Sequence, residues 1–295
     1  MKKLPENIIK IENTDIRINI RICNFIKFSF LNNTNTREIK YKKLSKKLYK
    51  KRNLLKFLSF FIPYKKYRYI IPFGQNCDFS KCFLDYFKYN DSTLYNWCAT
   101  GNSNIAQQFD VLENPQILFS GEYYYNDLWK CSKTQLSFHG RSENSELKNE
   151  DGTYNEKLLE EDLKELKSRA TYLANKTTKY LKTQDKKLIV YTILCSKDKM
   201  AEQASKAVEL YESLKNRNIQ NFDLLVICAR QHYQNISKII NSKYPQIFVR
   251  YVKSNYKKHQ RLYKDIIGWT KIFMEFRPEK IDKSKYKTLK GFKKA

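Results

Sequence analysis

Cys77 and the three histidines are the residues of this chain whose types best suit covalent chemistry. Tyr69–Phe73 is an apolar run that reads as a buried strand, and Gly74 breaks it. Cys77 then opens an amphipathic segment in which Phe79, Phe83, Leu84 and Phe87 share one helical face. That order predicts a thiol at a helix N-terminus, beside unpaired backbone N–H groups and the positive end of the helix dipole. Such surroundings stabilise a thiolate and lower a cysteine pKa. The alternative is a small buried residue at a strand–helix junction, a common fate of free cysteine.

A nucleophilic cysteine needs a base, normally histidine. His139 ends an apolar segment beside Gly140. His232 follows a strand in ARQHYQN, and His259 stands in the solvated run KKHQRLYK. Position ranks His139 modestly above His232. Glu160, Glu161 and Asp162 read as the solvated face of a helix rather than as paired catalytic carboxylates. Cys77, Cys82, Cys98 and His139 lack the ligand-pair spacing of a zinc site. No G-x-S-x-G serine elbow occurs, and the turn Cys195–Met200 has no glycine-rich phosphate loop. No cofactor and no metal are expected.

The seven cysteines are odd in number and none are paired as C-x-x-C, which argues against a disulfide framework and for reduced thiols in the cytoplasm. The first twenty residues lack the apolar core of a secretory signal, and no uncharged apolar run reaches transmembrane length. The net charge of +27 is unevenly spread, because residues 1–68 hold 19 Lys/Arg against 4 Asp/Glu. Residues 37–66 form a basic, helix-compatible stretch with Leu44, Leu48, Leu55 and Leu58 near helical spacing. It reads either as a solvated helix packed on the domain or as a segment for an anionic membrane surface. Nucleic acid is not favoured, since the aromatics sit in apolar runs and no binding signature appears.

The elements that must position Cys77 and His139 follow in order. Residues 16–30 alternate as one or two half-exposed strands. After the Cys77 helix, Gly101-Asn102 makes a turn, and Ser103 or Asn104 caps a short helix toward Phe109. Residues 117–129 and 135–139 read as extended segments, and 141–155 as loop. A long helix starts at Glu156, with Leu158, Leu159, Leu163, Leu166, Tyr172 and Leu173 as its apolar stripe. Leu188–Leu194, Asp223–Ala229 and Ile247–Val252 are strands separated by helices at Ala201–Lys215 and Ile236–Asn241, which implies a parallel βαβ layer. Trp269 and Phe273 lie on a last helix, before a lysine-rich tail. The division expected is a basic N-terminal extension (1–67), a main domain (68–278) and a tail (279–295).

The run Phe73-Gly74-Gln75-Asn76-Cys77, a helix, Ser92-Thr93-Leu94-Tyr95-Asn96-Trp97 and the later Phe138-His139 resemble a bacterial family of papain-like cysteine peptidases of unknown function. That family looks like S-L-G-x-x-C, a helix, S-x-P-F-D-W and a downstream H-D. The likeness spans roughly residues 68–275. Three positions depart from it: Leu94 for proline, Asn96 for aspartate and Gly140 for the aspartate after the histidine.

The resemblance implies an α/β fold joining a papain-like Cys–helix element to a small parallel βαβ sheet flanked by helices. It implies Cys77 as nucleophile, His139 as base and Asn96 as the residue orienting the imidazole. Gln75, with the Cys77 backbone N–H, falls to the oxyanion and Trp97 to the substrate side. The function implied is a cysteine hydrolase or acyl transferase acting on a carbonyl substrate. Relatives look like accessories of cell-surface polysaccharide assembly, which suits a cytoplasmic protein peripheral to the inner membrane face. The alternative is a non-catalytic membrane-peripheral or glycan-assembly binding protein derived from that fold.

Overall fold

The computed structural model describes residues 9–13, 17–22, 26–31, 64–74, 77–88, 91–100, 103–126, 128–140, 146–193, 198–253 and 265–279. Gln75, His259, the Gly101-Asn102 turn, residues 37–63 of the basic stretch and the tail beyond Glu279 lie outside them. The chain divides into two compact units, Met1–Pro63 and Tyr64–Ala295.

In the first unit, β1 (Ile9–Asn13), β2 (Arg17–Ile22) and β3 (Ile26–Leu31) pair antiparallel in sequence order.

The second unit is mixed α/β. Its elements are β4 (Lys65–Tyr67), β5 (Tyr69–Pro72), α1 (Asp78–Phe87), a 3₁₀ turn (Leu94–Trp97), β6 (Cys98–Ala99), α2 (Ile105–Glu113) and α3 (Ile117–Ser120). Next come β7 (Tyr123–Asn126), β8 (Leu128–Cys131), β9 (Ser137–Phe138), α4 (Glu156–Lys182), β10 (Lys187–Ile193), α5 (Met200–Asn216) and β11 (Phe222–Ala229). A 3₁₀ turn (Arg230–His232), α6 (Tyr233–Asn241), β12 (Phe248–Val252), α7 (Ile266–Glu275) and β13 (Phe276–Pro278) complete the series among the described residues.

The main sheet runs β12-β11-β10-β5, all parallel. The βαβ layer read from the sequence is therefore present, and the strand leading to Cys77 joins it beside β10. Alternation along the strands sorts two cores. Ile189, Tyr191 and Ile193 face one layer with α2, α4, α5 and α6, whereas Leu188 and Val190 face α1 and α7. Continuous burial of β10 reflects this covering of both faces.

A second, antiparallel sheet, β6-β9-β8-β7, lies in the chain between α1 and α4. Residues Lys65–Tyr67, expected in the N-terminal extension, pair instead with β13 in the second unit. Residues Ile117–Ser120, read as extended, form a helical turn that follows Pro115. The stripe expected on α4 holds for Leu159, Leu163, Leu166 and Leu173, which lie in or against the core, and fails for Leu158 and Tyr172. The fully buried residues are Asp162, Leu166, Ala170, Ala174, Thr177 and Leu181, while Leu158 and Tyr172 at the margin are exposed. The small alanines let the helix sit close to the core, and the half-buried leucines flank them. Among the described residues no helix is long and apolar enough to cross a membrane.

Candidate active site

The strand β5 ends at Pro72, and Phe73 adds one more hydrogen bond, its N–H donating to the Val190 carbonyl at 2.7 Å. Gly74 then passes against Thr192 of β10, where a Cβ would fall 2.6 Å from the Thr192 amide nitrogen. Any side chain at 74 is thereby excluded. The Gly74 carbonyl accepts from the Thr100 hydroxyl at 2.8 Å, and the Thr100 carbonyl accepts from Ser103 Oγ at 2.9 Å. Gln108 Nε2 donates to that serine at 3.2 Å, so α2 anchors the turn through a buried chain of hydrogen bonds.

Cys77 is the N-cap residue of α1 and is half-buried. No side-chain cap closes this end, so the first-turn N–H groups of the helix are directed at the thiol's surroundings. The carbonyl of Cys77 takes the Lys81 N–H at 2.9 Å, which confirms that the helix proper starts here. The helix is held by Phe79, Phe83 and Phe87, packed on Trp269 and Phe273 of α7.

His139 follows β9, whose Phe138 is paired with Cys98 of β6. Burial pushes the Cys98 thiol well above its ordinary pKa, a hydrogen bond from the Ser137 backbone acts the other way, and the charge of Cys77 adds to the upward push. The Thr100 hydroxyl, just past β6, also bonds the Gly74 carbonyl three residues before Cys77. Cys77, Cys98 and the strand that ends at His139 thus share one neighbourhood. His139 itself is exposed, and its carbonyl accepts from Arg169 of α4 at 2.8 Å.

Asn96 does different work from that expected. It is buried in the 3₁₀ turn, where its Oδ1 accepts from the Thr93 amide at 2.6 Å and the Thr93 hydroxyl at 2.7 Å. Its Nδ2 donates to Ser80 Oγ of α1 at 3.1 Å. Both lone pairs of the oxygen are filled, so in this arrangement it is not the acceptor for an imidazole N–H. Asn96 instead ties the 3₁₀ turn to the first turn of the Cys77 helix. Asn96→Ala is expected to lower stability by about 2 kcal/mol, because buried donors of Thr93 lose their acceptor. Urea unfolding checks this, and a loss below about 0.5 kcal/mol would contradict the capping role.

Trp97 is half-buried, and its indole N–H goes to Ser92 Oγ at 3.1 Å. His232 is buried in the 3₁₀ turn that follows β11, next to the Gln231 side chain at 3.1 Å. Among the described residues no group of three His, Cys, Asp or Glu side chains is placed to hold a metal ion.

One residue of this region was misread from the sequence. Asp162, expected on a solvated face, is buried beneath Gly140 and accepts from the Trp129 indole N–H at 2.7 Å. Its signal was legible in the i+4 series Asp162, Leu166, Ala170, Ala174, which continues the buried face of α4 backwards. The adjoining Glu160 and Glu161 concealed it.

No protein-family model, curated protein or solved structure matches this chain.

Proposed function

We propose that this chain is a papain-like cysteine-dependent hydrolase or acyl transferase with Cys77 as nucleophile and His139 as proton carrier. The observation that supports this most is the placing of a half-buried thiol at an uncapped helix N-terminus, at the carboxyl end of a parallel strand. Ligands of open α/β sheets gather at that edge, and the end of a helix favours thiolate there.

In this reading the Cys77 thiolate attacks a substrate carbonyl, and the new C–S bond leaves an oxyanion facing the Cys77 N–H, with Gln75 the expected second donor. Collapse breaks the bond to the leaving group, which takes its proton from His139. A water or an acceptor hydroxyl or amine then attacks the thioester, giving its proton to His139 and freeing the thiolate. With the Asn96 oxygen filled by Thr93, Asn96 serves as the brace between the 3₁₀ turn and α1. The proposed setting, the inner face of a membrane during surface-polysaccharide assembly, rests on the family resemblance and on the charge of residues 1–68.

The test is native-state alkylation with iodoacetamide at pH 7, located by peptide mass spectrometry. Burial raises the thiol pKa of Cys82 and Cys98, and for Cys82 the charges of Asp78 and Asp85 add to it. Both stay protonated at neutral pH. Cys77 is expected to react at least about tenfold faster than either, and His139→Ala to slow it by roughly tenfold. A Cys77 rate no faster than a free thiol, unchanged by His139→Ala, favours the second reading instead. That reading is a non-catalytic binding protein on the same scaffold, and the filling of the Asn96 oxygen by Thr93 is the observation in its favour.

A further inference from the structure

Asp162 is a carboxylate where a carboxylate is costly. It lies in the second turn of α4 and is 5 % exposed, in line with the apolar face of that helix. A buried carboxylate is retained only where hydrogen bonds or opposite charge offset its lost hydration. One partner is the Trp129 indole N–H on β8, the strand beside β9. A further neighbour is the main chain immediately after β9. Gly140 approaches so closely that a Cβ there would stand 3.1 Å from Asp162 Cγ and closer still to Oδ2. A side chain at position 140 and this carboxylate exclude each other. Two turns further along the same helix, Arg169 donates to the His139 carbonyl at 2.8 Å. The helix therefore grips the His139–Gly140 dipeptide with two groups of opposite charge.

We infer that Asp162 is the positioning residue of the proposed base: seated on Gly140, its carboxylate fixes the backbone that carries His139 and sets a negative charge one residue from the imidazole. This rests on reading His139 as the base. A fixed negative charge favours the imidazolium, the state that pairs with a thiolate, and opposes the guanidinium of Arg169. The glycine after His139 is then a requirement of the site, since it opens the space that the carboxylate occupies.

The full chain has three histidines, so their imidazole ring protons can be followed by NMR through a pH titration, with His139 assigned by its loss in His139→Gln. Asp162→Asn keeps the shape and the Trp129 bond but removes the charge. It is expected to lower the His139 midpoint by about half a pH unit or more while His232 stays put. Gly140→Ala pushes the carboxylate aside without removing its charge, and a smaller shift in the same direction is expected. If both variants lower the melting temperature and leave the His139 midpoint unmoved, Asp162 is only a structural residue and the inference is wrong. Should Asp162→Asn fail to fold, Gly140→Ala decides alone. The imidazole readout needs no reactive thiol. A His139 shift together with ordinary Cys77 alkylation would keep Asp162 in its place and reject the nucleophile, so the two failures are told apart.

Discussion

Gly74→Ala is expected to unfold or severely weaken the second unit, with a loss of about 3 kcal/mol or more. The new methyl would lie 2.6 Å from the Thr192 amide nitrogen, 2.9 Å from its Cβ and closer still to its hydroxyl. Thr192 cannot yield, because it belongs to the fully buried strand β10, held between β5 and β11. Gly74 cannot yield either, being fastened through its carbonyl to Thr100 and through Phe73 to Val190. Relief would have to come from parting β5 from β10 at their carboxyl ends, where Cys77 is set. Against a total stability of about 5–15 kcal/mol, that is a large fraction. Thr192→Ala in the same chain removes the hydroxyl but not the amide nitrogen, so rescue is expected to be partial. Thermal melts of the single and double variants measure it. A Gly74→Ala protein that melts like the parent, or a complete rescue by Thr192→Ala, would show that the backbone contact does not decide the matter.

Lys187→Met is expected to lower stability by about 3 kcal/mol, a large effect for a change from charged to apolar at a fully buried position. The ammonium is 0 % exposed and donates to the carbonyls of Thr183 at 2.7 Å, Asp185 at 2.8 Å and Gln220 at 2.8 Å. Its three N–H groups are all used. Burial works against the charge, which holds the Lys187 pKa below the ordinary lysine value. The carbonyls offset that cost, and in exchange the end of α4, the start of β10 and the loop before β11 are drawn to one point. Methionine fills a similar volume but leaves three carbonyls without their donor. Urea unfolding with an unchanged slope gives the difference directly. A loss under about 0.5 kcal/mol would mean that water or main-chain adjustment satisfies those carbonyls, and that the clamp is dispensable.

Both positions were only half legible in the sequence. Gly74 announced the end of an apolar run, and a turn before a helix follows from that break alone. That the glycine is required by contact with Thr192, 118 positions later in the chain, depends on β5 lying beside β10. Strand propensity reports that a segment pairs, and says nothing of which segment it pairs with. Lys187 stands one residue before the strand expected at Leu188–Leu194, and a charged residue there carries no local sign of burial. Only the three converging carbonyls explain its burial.

The same division runs through the candidate site. The order strand, glycine, Cys77, amphipathic helix was determined by the sequence, because apolar periodicity and a chain break are local properties. So were the βαβ layer and a cap at Ser103 or Asn104, of which the structure selects Asn104, whose side chain accepts from Gln107 N–H at 2.7 Å. The tertiary structure decided what those elements meet. It set Asn96 against Thr93 and Ser80, left Leu158 and Tyr172 at the margin of α4 in solvent, and brought Asp162 under Gly140. The physical reason is that hydrophobic pattern selects a face, whereas the burial of a polar group is settled by the donors and acceptors that distant segments bring to it.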